Sequence, residues 1–166
     1  MRRVLIVEDE MALRESLRDW LADGGYEVET AEDGEKALSI IDERDFGVVL
    51  LDLRLPGIDG IEVLRRSREK RPGLKTIIIT AYPSVESAVK AMKAGAVDYL
   101  SKPFNLGDLE KLISGTLMPV QPVNGKPAGE AIARLSVTKR NGSVCIRFGG
   151  WEYIDAYLDA TKPNEE

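Results

Sequence analysis

The sequence predicts an α/β protein: a doubly wound, five-stranded parallel sheet followed by a small C-terminal hairpin-plus-helix appendage. Three observations predict it. Short apolar runs alternate with amphipathic stretches from residue 3 to residue 104. The run Val48 to Asp52 is apolar on both faces, as a central parallel strand is. Beyond a Pro- and Gly-marked segment near residue 120, the pattern changes to a single hairpin signature at Asn141-Gly142.

Taken in order, Arg3 to Val7 reads as the first strand. Met11 to Ala22 places Leu13, Leu17, Trp20 and Leu21 on one helical face and is stopped by Gly24-Gly25. Glu27 to Ala31 is the second strand, and a helix carrying Ala37, Leu38 and Ile41 follows. After the third strand, Val48 to Asp52, come a helix over Ile61 to Arg68, a buried strand over Thr76 to Thr80 and a helix over Val85 to Ala94 ended by Gly95. Val97 to Ser101 is the fifth strand, and Leu109 to Leu117 closes the series. Strands alternating with helices in this way make a parallel sheet with right-handed crossovers, here in the order 2-1-3-4-5. All strand carboxyl ends then share one edge, where such folds bind ligands.

Composition narrows the chemistry. Hydrophobic residues are 43% and charged residues 31%, a globular balance. No apolar run approaches the roughly 18 residues that a membrane span needs, and Met1-Arg2-Arg3 is followed by too short an apolar stretch for a secretory signal. Cys145 is the lone cysteine, so no intramolecular disulfide forms and a reducing cytoplasm is the expected location. Histidine is absent, which excludes Ser-His or Cys-His catalysis and a His-ligated zinc within the chain. The net charge is −5, while residues 119–166 hold six basic and six acidic side chains. The acidic excess therefore lies in the first 118 residues and argues against a nucleic-acid surface there.

The strand-end residues are the informative ones. Glu8, Asp9 and Glu10 follow the first strand, Asp52 ends the third, Thr80 ends the fourth, and Lys102-Pro103 follows the fifth. Two like unit charges about 4 Å apart repel by about 4 kcal/mol at an effective dielectric of 20, so Glu8, Asp9 and Asp52 converge only around a counter-charge. A hard divalent cation meets that need: carboxylates, water and phosphate oxygens are the Mg²⁺ ligand set. A carboxylate beside Mg²⁺ and Lys102 is a nucleophile toward a phosphoryl group, and Thr80 offers its hydroxyl to a phosphoryl oxygen. Glu8 to Glu10 alone would serve equally as helix N-terminal carboxylates, and Tyr99 alone as a half-buried sheet residue. It is the register of the whole set that makes a phosphate-acceptor site.

The segments VLIVEDE (4–10), VVLLDLRLPGIDG (48–60), TIIITAY (76–82) and DYLSKPF (98–104) resemble the receiver domain of two-component response regulators, over about residues 1–118. The resemblance implies a CheY-like, flavodoxin-like fold and a phospho-acceptor switch rather than an enzyme with a substrate of its own. It implies that Asp52 takes the phosphoryl group from a phospho-histidine on a sensor histidine kinase. By the same resemblance Asp9 and Asp52 bind Mg²⁺ directly, the Arg54 backbone carbonyl adds a ligand, and Glu8 acts through water. Lys102 pairs with the phosphoryl group across a cis Lys102-Pro103 bond. Thr80 and Tyr99 form a switch pair: Thr80 moves to the phosphoryl oxygens, Tyr99 turns inward, and the surface of the fourth helix, fifth strand and fifth helix is reshaped for a partner or a second copy. Arg54 and Tyr82, two positions beyond Asp52 and Thr80, are expected to flank the entrance. A rival class, the aspartyl-phosphate phosphatases, also uses a strand-end Asp, but wants an acid two residues on, where this chain has Arg54.

The tail is organised differently. Pro119, Pro122, Asn124-Gly125 and Pro127 mark a linker over residues 119–133, followed by a unit over 134–166. A two-residue Asn141-Gly142 loop pairs Lys139 with Val144, Val137 with Ile146 and Leu135 with Phe148 on one face. The other face pairs Arg140 with Ser143, Thr138 with Cys145 and Ser136 with Arg147. Trp151 to Ala160 reads as a short helix covering the apolar face. Three roles stay open for this unit: dimerisation or partner docking, which a lone hairpin's need for cover favours; DNA contact through Arg134, Arg140 and Arg147, which a solvated basic face explains as well; or an extension with no separate role.

Overall fold

The computed structural model describes residues 2–117, 136–140 and 143–147. The five parallel strands are β1 (Arg3–Val7), β2 (Glu27–Ala31), β3 (Val48–Asp52), β4 (Thr76–Thr80) and β5 (Asp98–Ser101). Between and after them run α1 (Met11–Asp23), α2 (Gly34–Glu43), α3 (Gly60–Lys70), α4 (Val85–Ala94) and α5 (Leu106–Leu117). Two antiparallel strands follow, β6 (Ser136–Arg140) and β7 (Ser143–Arg147). The order across the sheet is β2-β1-β3-β4-β5-β7-β6. The parallel part thus has the expected 2-1-3-4-5 order, and the hairpin extends it along β5 instead of standing apart. Within the hairpin the pairs run from Ser136 with Arg147 to Arg140 with Ser143, the register expected from a two-residue loop. The linker at 119–133, the pair Leu135 and Phe148, the turn Asn141-Gly142 and the helix expected over Trp151 to Ala160 lie outside the described residues.

The period of two in each strand sorts the core into two layers. Leu5, Val7, Val49, Leu51, Ile78 and Tyr99 face α2, α3 and α4, meeting Ala37, Ile41, Val63, Leu64, Ala88 and Ala91. Val4, Ile6, Val48, Leu50, Ile77, Ile79 and Leu100 face α1 and α5, meeting Leu17, Leu21, Leu109, Leu112 and Ile113. Every residue of β3 and β4 is buried, which is why those stretches read as continuous apolar runs rather than as alternation. Among the described residues no helix is long and apolar enough to cross a membrane.

Helix ends follow local chemistry more than apolar periodicity. The α5 helix begins at Leu106, three residues before its first buried leucine, because the Asn105 side chain accepts a hydrogen bond from the Gly107 amide at 2.7 Å. Asp33 and Asp59 cap α2 and α3 in the same way, accepting from the Lys36 and Glu62 amides. The α3 helix continues past Arg68 to Lys70, its exposed face laced by Glu62 with Arg65 and Arg66. Val97 is exposed and precedes β5, its amide still bonded to the Thr76 carbonyl at 2.8 Å.

Gly60 fixes how α3 meets the end of β3. A Cβ there would lie 2.3 Å from the Asp52 carbonyl oxygen and 2.7 Å from the Leu53 Cα, both backbone atoms that cannot swing away. Gly60→Ala is therefore expected to destabilise the fold by about 1–3 kcal/mol, the usual cost of overpacking, read as a lowered urea midpoint. Gly73→Ala, where nothing lies within 4 Å of the added carbon, is the matched control and should stay within about 0.5 kcal/mol of wild type.

Candidate functional site

Strand order assembles the site. With β1, β3, β4 and β5 side by side and parallel, their carboxyl ends bring Glu8, Asp52, Thr80 and Lys102 along one edge of the sheet. Glu8 prolongs β1, its amide bonded to the Ala31 carbonyl at 3.1 Å, and is 1% exposed. Asp52 and Thr80 are the last residues of their strands and are buried too. The Lys102 amide bonds the Thr80 carbonyl at 2.7 Å, which anchors the chain as it leaves β5. The Lys102-Pro103 peptide bond is cis.

The central contact is a shared ammonium. Lys102 Nζ donates to Glu8 Oε2 and to Asp52 Oδ2, each at 2.6 Å. The remaining oxygens are also engaged: Asp52 Oδ1 accepts from the Arg54 amide at 2.9 Å and Glu8 Oε1 from the Glu10 amide at 3.3 Å. Two buried carboxylates against one ammonium leave negative charge uncompensated. Burial, with Asp52 adding to it and Lys102 opposing it, holds the Glu8 carboxyl above the usual carboxylate range. Burial likewise disfavours the Lys102 charge, but its hydrogen bonds to Asp52 and Glu8 outweigh that and raise its pKa above the usual lysine value.

Asp9, exposed at the mouth, completes an acidic triad. Oxygens of Glu8, Asp9 and Asp52 all lie within 4.8 Å of one another. Carboxylates this close would hold one hard divalent cation such as Mg²⁺, directly or through water, and the ion would supply the missing positive charge. The all-oxygen donors and the unbalanced charge suit the same ion.

The flanks were only partly expected. The Arg54 guanidinium stacks on the Tyr82 ring, 3.8 Å from its centroid, at the wall of a groove of about 310 Å³ that also includes Leu53, Asp59, Thr80 and Lys90. Thr80 Oγ1 accepts from the Tyr82 amide at 3.2 Å. Tyr99 is 1% exposed, so its ring already lies inside, with its hydroxyl 2.7 Å from Ser87 Oγ. Two contributors were not anticipated. Arg14, on the first turn of α1, donates to the Glu8 and Asp9 carbonyls at 2.7 and 3.1 Å and pins the acidic loop. Ser87 on α4 partners Tyr99; the Ser84-x-x-Ser87 spacing was a visible capping signal, but nothing local marked its link to β5.

Comparison with known proteins agrees with this geometry. The family model for the response regulator receiver domain matches residues 4–114. The response regulator MprA of Mycolicibacterium vanbaalenii is 42% identical over 131 residues, which is 79% of this chain and 56% of MprA. The chain thus spans little more than half the length of that relative. A CheY-like receiver domain protein from Methanospirillum hungatei is 38% identical with a TM-score of 0.69, over 70% of this chain and 94% of that one. The Thermotoga maritima response regulator TrrA, solved in complex with Mg²⁺-BeF, is also 38% identical, with a TM-score of 0.64 over 70% of this chain and all of that one.

Removing the shared ammonium isolates its role. Lys102→Ala leaves Glu8 and Asp52 facing each other without a counter-charge and is expected to cost on the order of 3 kcal/mol in metal-free buffer at neutral pH. Thermal melts with and without Mg²⁺ should show the metal restoring more stability to this variant than to wild type. Because Glu8 titrates above its unfolded value, its protonated form favours the fold and that support fades as pH rises through the folded value. Stabilisation by Mg²⁺ should accordingly be larger at neutral pH than near pH 5, and equal effects at both would contradict the charge assignment.

Proposed function

The chain belongs to the response regulator receiver domain family of two-component systems, and from that premise we propose that it is a phospho-acceptor switch in which Asp52 takes the phosphoryl group. The observation that carries this reading is the Lys102 ammonium held 2.6 Å from both Glu8 and Asp52, beside a third carboxylate close enough to share an ion.

The chain has no histidine, so the phospho-histidine donor belongs to a partner, a sensor histidine kinase. An Asp52 carboxylate oxygen attacks phosphorus, the P–N bond to the donor imidazole breaks, and an acyl phosphate is left on Asp52. Lys102, already bonded to Asp52 Oδ2, is placed to follow the charge onto the phosphoryl oxygens. Asp9, Asp52 and the Arg54 carbonyl would hold Mg²⁺, with Glu8 acting through water; the ion, when bound, neutralises charge on the transferring group. The product adds about 1.5 to 2 negative charges and three acceptor oxygens beside Thr80, whose hydroxyl accepts from the Tyr82 amide and donates its own proton to one of them. Arg54 and Tyr82, stacked over the mouth, control how water reaches the acyl phosphate.

The unit that performs this is residues 1–118, joined by 119–133 to the hairpin unit at 134–166. It acts in the cytoplasm as a switch and not as a turnover enzyme; the phosphatase alternative lacks its second acid, because Arg54 occupies that position with its side chain committed to Tyr82. Output runs through protein contact on the face of α4, β5 and α5, whose β5 edge carries β7 of the hairpin in this structure, by dimerisation or partner binding. DNA contact through the hairpin remains the second choice, since the tail has no net charge to concentrate on phosphates.

Incubation with Mg²⁺ and acetyl phosphate, followed by intact mass measurement, tests the acceptor. One added phosphoryl group is expected on wild type, and none on Asp52→Ala or after chelation of the metal. A phosphoryl group retained on Asp52→Ala would move the acceptor elsewhere and overturn the reading.

A further inference from the structure

Three successive carbonyls at the mouth of the pocket converge on one residue. Arg14 Nη1 donates to the Glu8 carbonyl at 2.7 Å and to the Asp9 carbonyl at 3.1 Å, and the Arg14 amide donates to the Glu10 carbonyl at 2.9 Å. Helix capping does not fix this loop. Asp33, Asp59 and Ser84 cap α2, α3 and α4 through their side chains, whereas Glu10, the N-cap of α1, makes no side-chain bond to its helix. The three carboxylates of the triad are also unequally anchored. Glu8 and Asp52 are buried, and their oxygens accept from Lys102 and from the Glu10 and Arg54 amides. The Asp9 carboxylate is exposed and, among the described residues, accepts no hydrogen bond. Its place beside the other two is therefore set by the loop backbone, and the side chain that fastens this backbone is Arg14.

We propose that Arg14 is a positioning residue for the metal site: by fastening the Glu8 and Asp9 carbonyls it holds the Asp9 carboxylate in register with Glu8 and Asp52, and so sets the affinity for Mg²⁺ and the preference for Mg²⁺ over Ca²⁺. This rests on the Mg²⁺-dependent acceptor reading above and deepens it. The preference follows from the ions. Mg²⁺ binds at about 2.1 Å and demands near-octahedral geometry, whereas Ca²⁺ tolerates longer bonds and irregular arrangements. A loop free to shift costs Mg²⁺ more than Ca²⁺. Arg14 also carries a positive charge, and a charge acting on the pocket directly would oppose a cation. The two roles predict opposite signs when charge and donors are removed together: affinity falls if the arginine positions a ligand and rises if it repels the ion. Its Nη1 is engaged by carbonyls, and Lys102, not Arg14, is the cation paired with Glu8 and Asp52. Affinity therefore falls.

Calorimetric titration of the full chain with Mg²⁺ alone and with Ca²⁺ alone tests this on wild type, Arg14→Met, which removes charge and donors, and Arg14→Lys, which keeps both. The Mg²⁺ dissociation constant is expected to rise by about 10- to 100-fold in Arg14→Met, the usual cost of losing a residue that orients a metal ligand, and to return most of the way in Arg14→Lys. The Ca²⁺ constant should rise less. Unchanged or tighter Mg²⁺ binding by Arg14→Met would overturn the positioning role, and equal losses for the two ions would overturn the preference. Amide exchange without metal reads the same loop: the Glu10 amide, bonded to Glu8 Oε1, should exchange faster in Arg14→Met. The Glu8 amide, bonded to the Ala31 carbonyl, should keep its rate and so report an intact sheet. If Arg14→Met does not fold, Arg14→Gln, whose shorter side chain falls short of the carbonyls, takes its place. Acetyl phosphate labelling of wild type separates the two readings. Mg²⁺ binding without labelling would sink the acceptor and leave the role of Arg14 to the titrations, whereas wild type that binds no Mg²⁺ would end both.

Discussion

One ammonium shared by two buried carboxylates governs this molecule. Parallel strands deliver Glu8 and Asp52 to adjacent positions at the sheet edge, and burial makes their mutual repulsion expensive. Lys102, delivered by β5, offsets part of it. The pocket keeps an excess of negative charge, and that imbalance suits it to a cation. The surroundings serve the same end. Arg14 fastens the acidic loop by its carbonyls, the Arg54 amide orients the Asp52 carboxylate, and the close seat of Gly60 against the Asp52 carbonyl fixes where β3 stops.

Much of this was legible in the sequence because parallel α/β folds put chemistry at strand ends, where a few polar residues interrupt apolar runs. Asp52, Thr80 and Lys102 each occupy such an interruption, so locating the strands located them. The hairpin register was legible for a similar reason: a two-residue loop leaves one pairing open. What escaped were contacts decided by tertiary placement. Arg14 reads as an ordinary exposed helix residue until the loop before α1 folds back beneath it. The link from Ser87 to Tyr99 depends on α4 packing over β5, which no local pattern encodes. The early start of α5 was missed because Asn105 sets it, while apolar spacing begins only at Leu109.

The same distinction applies to the switch. The resemblance to receiver domains implied a tyrosine that turns inward on activation, and in this structure the ring is already inside and hydrogen-bonded.

The hairpin's attachment also changes the margin of the sheet. β7 pairs with β5 at Tyr99 and Leu100, so the strand that would otherwise end the sheet is enclosed. The outermost strand is instead β6, whose sequence closes on Lys139-Arg140. Short terminal strands bearing cations are poor templates for recruiting foreign chains, whereas a bare β5, buried at all four positions, would be a good one. The hairpin thereby moves the open margin of the sheet from β5 to β6.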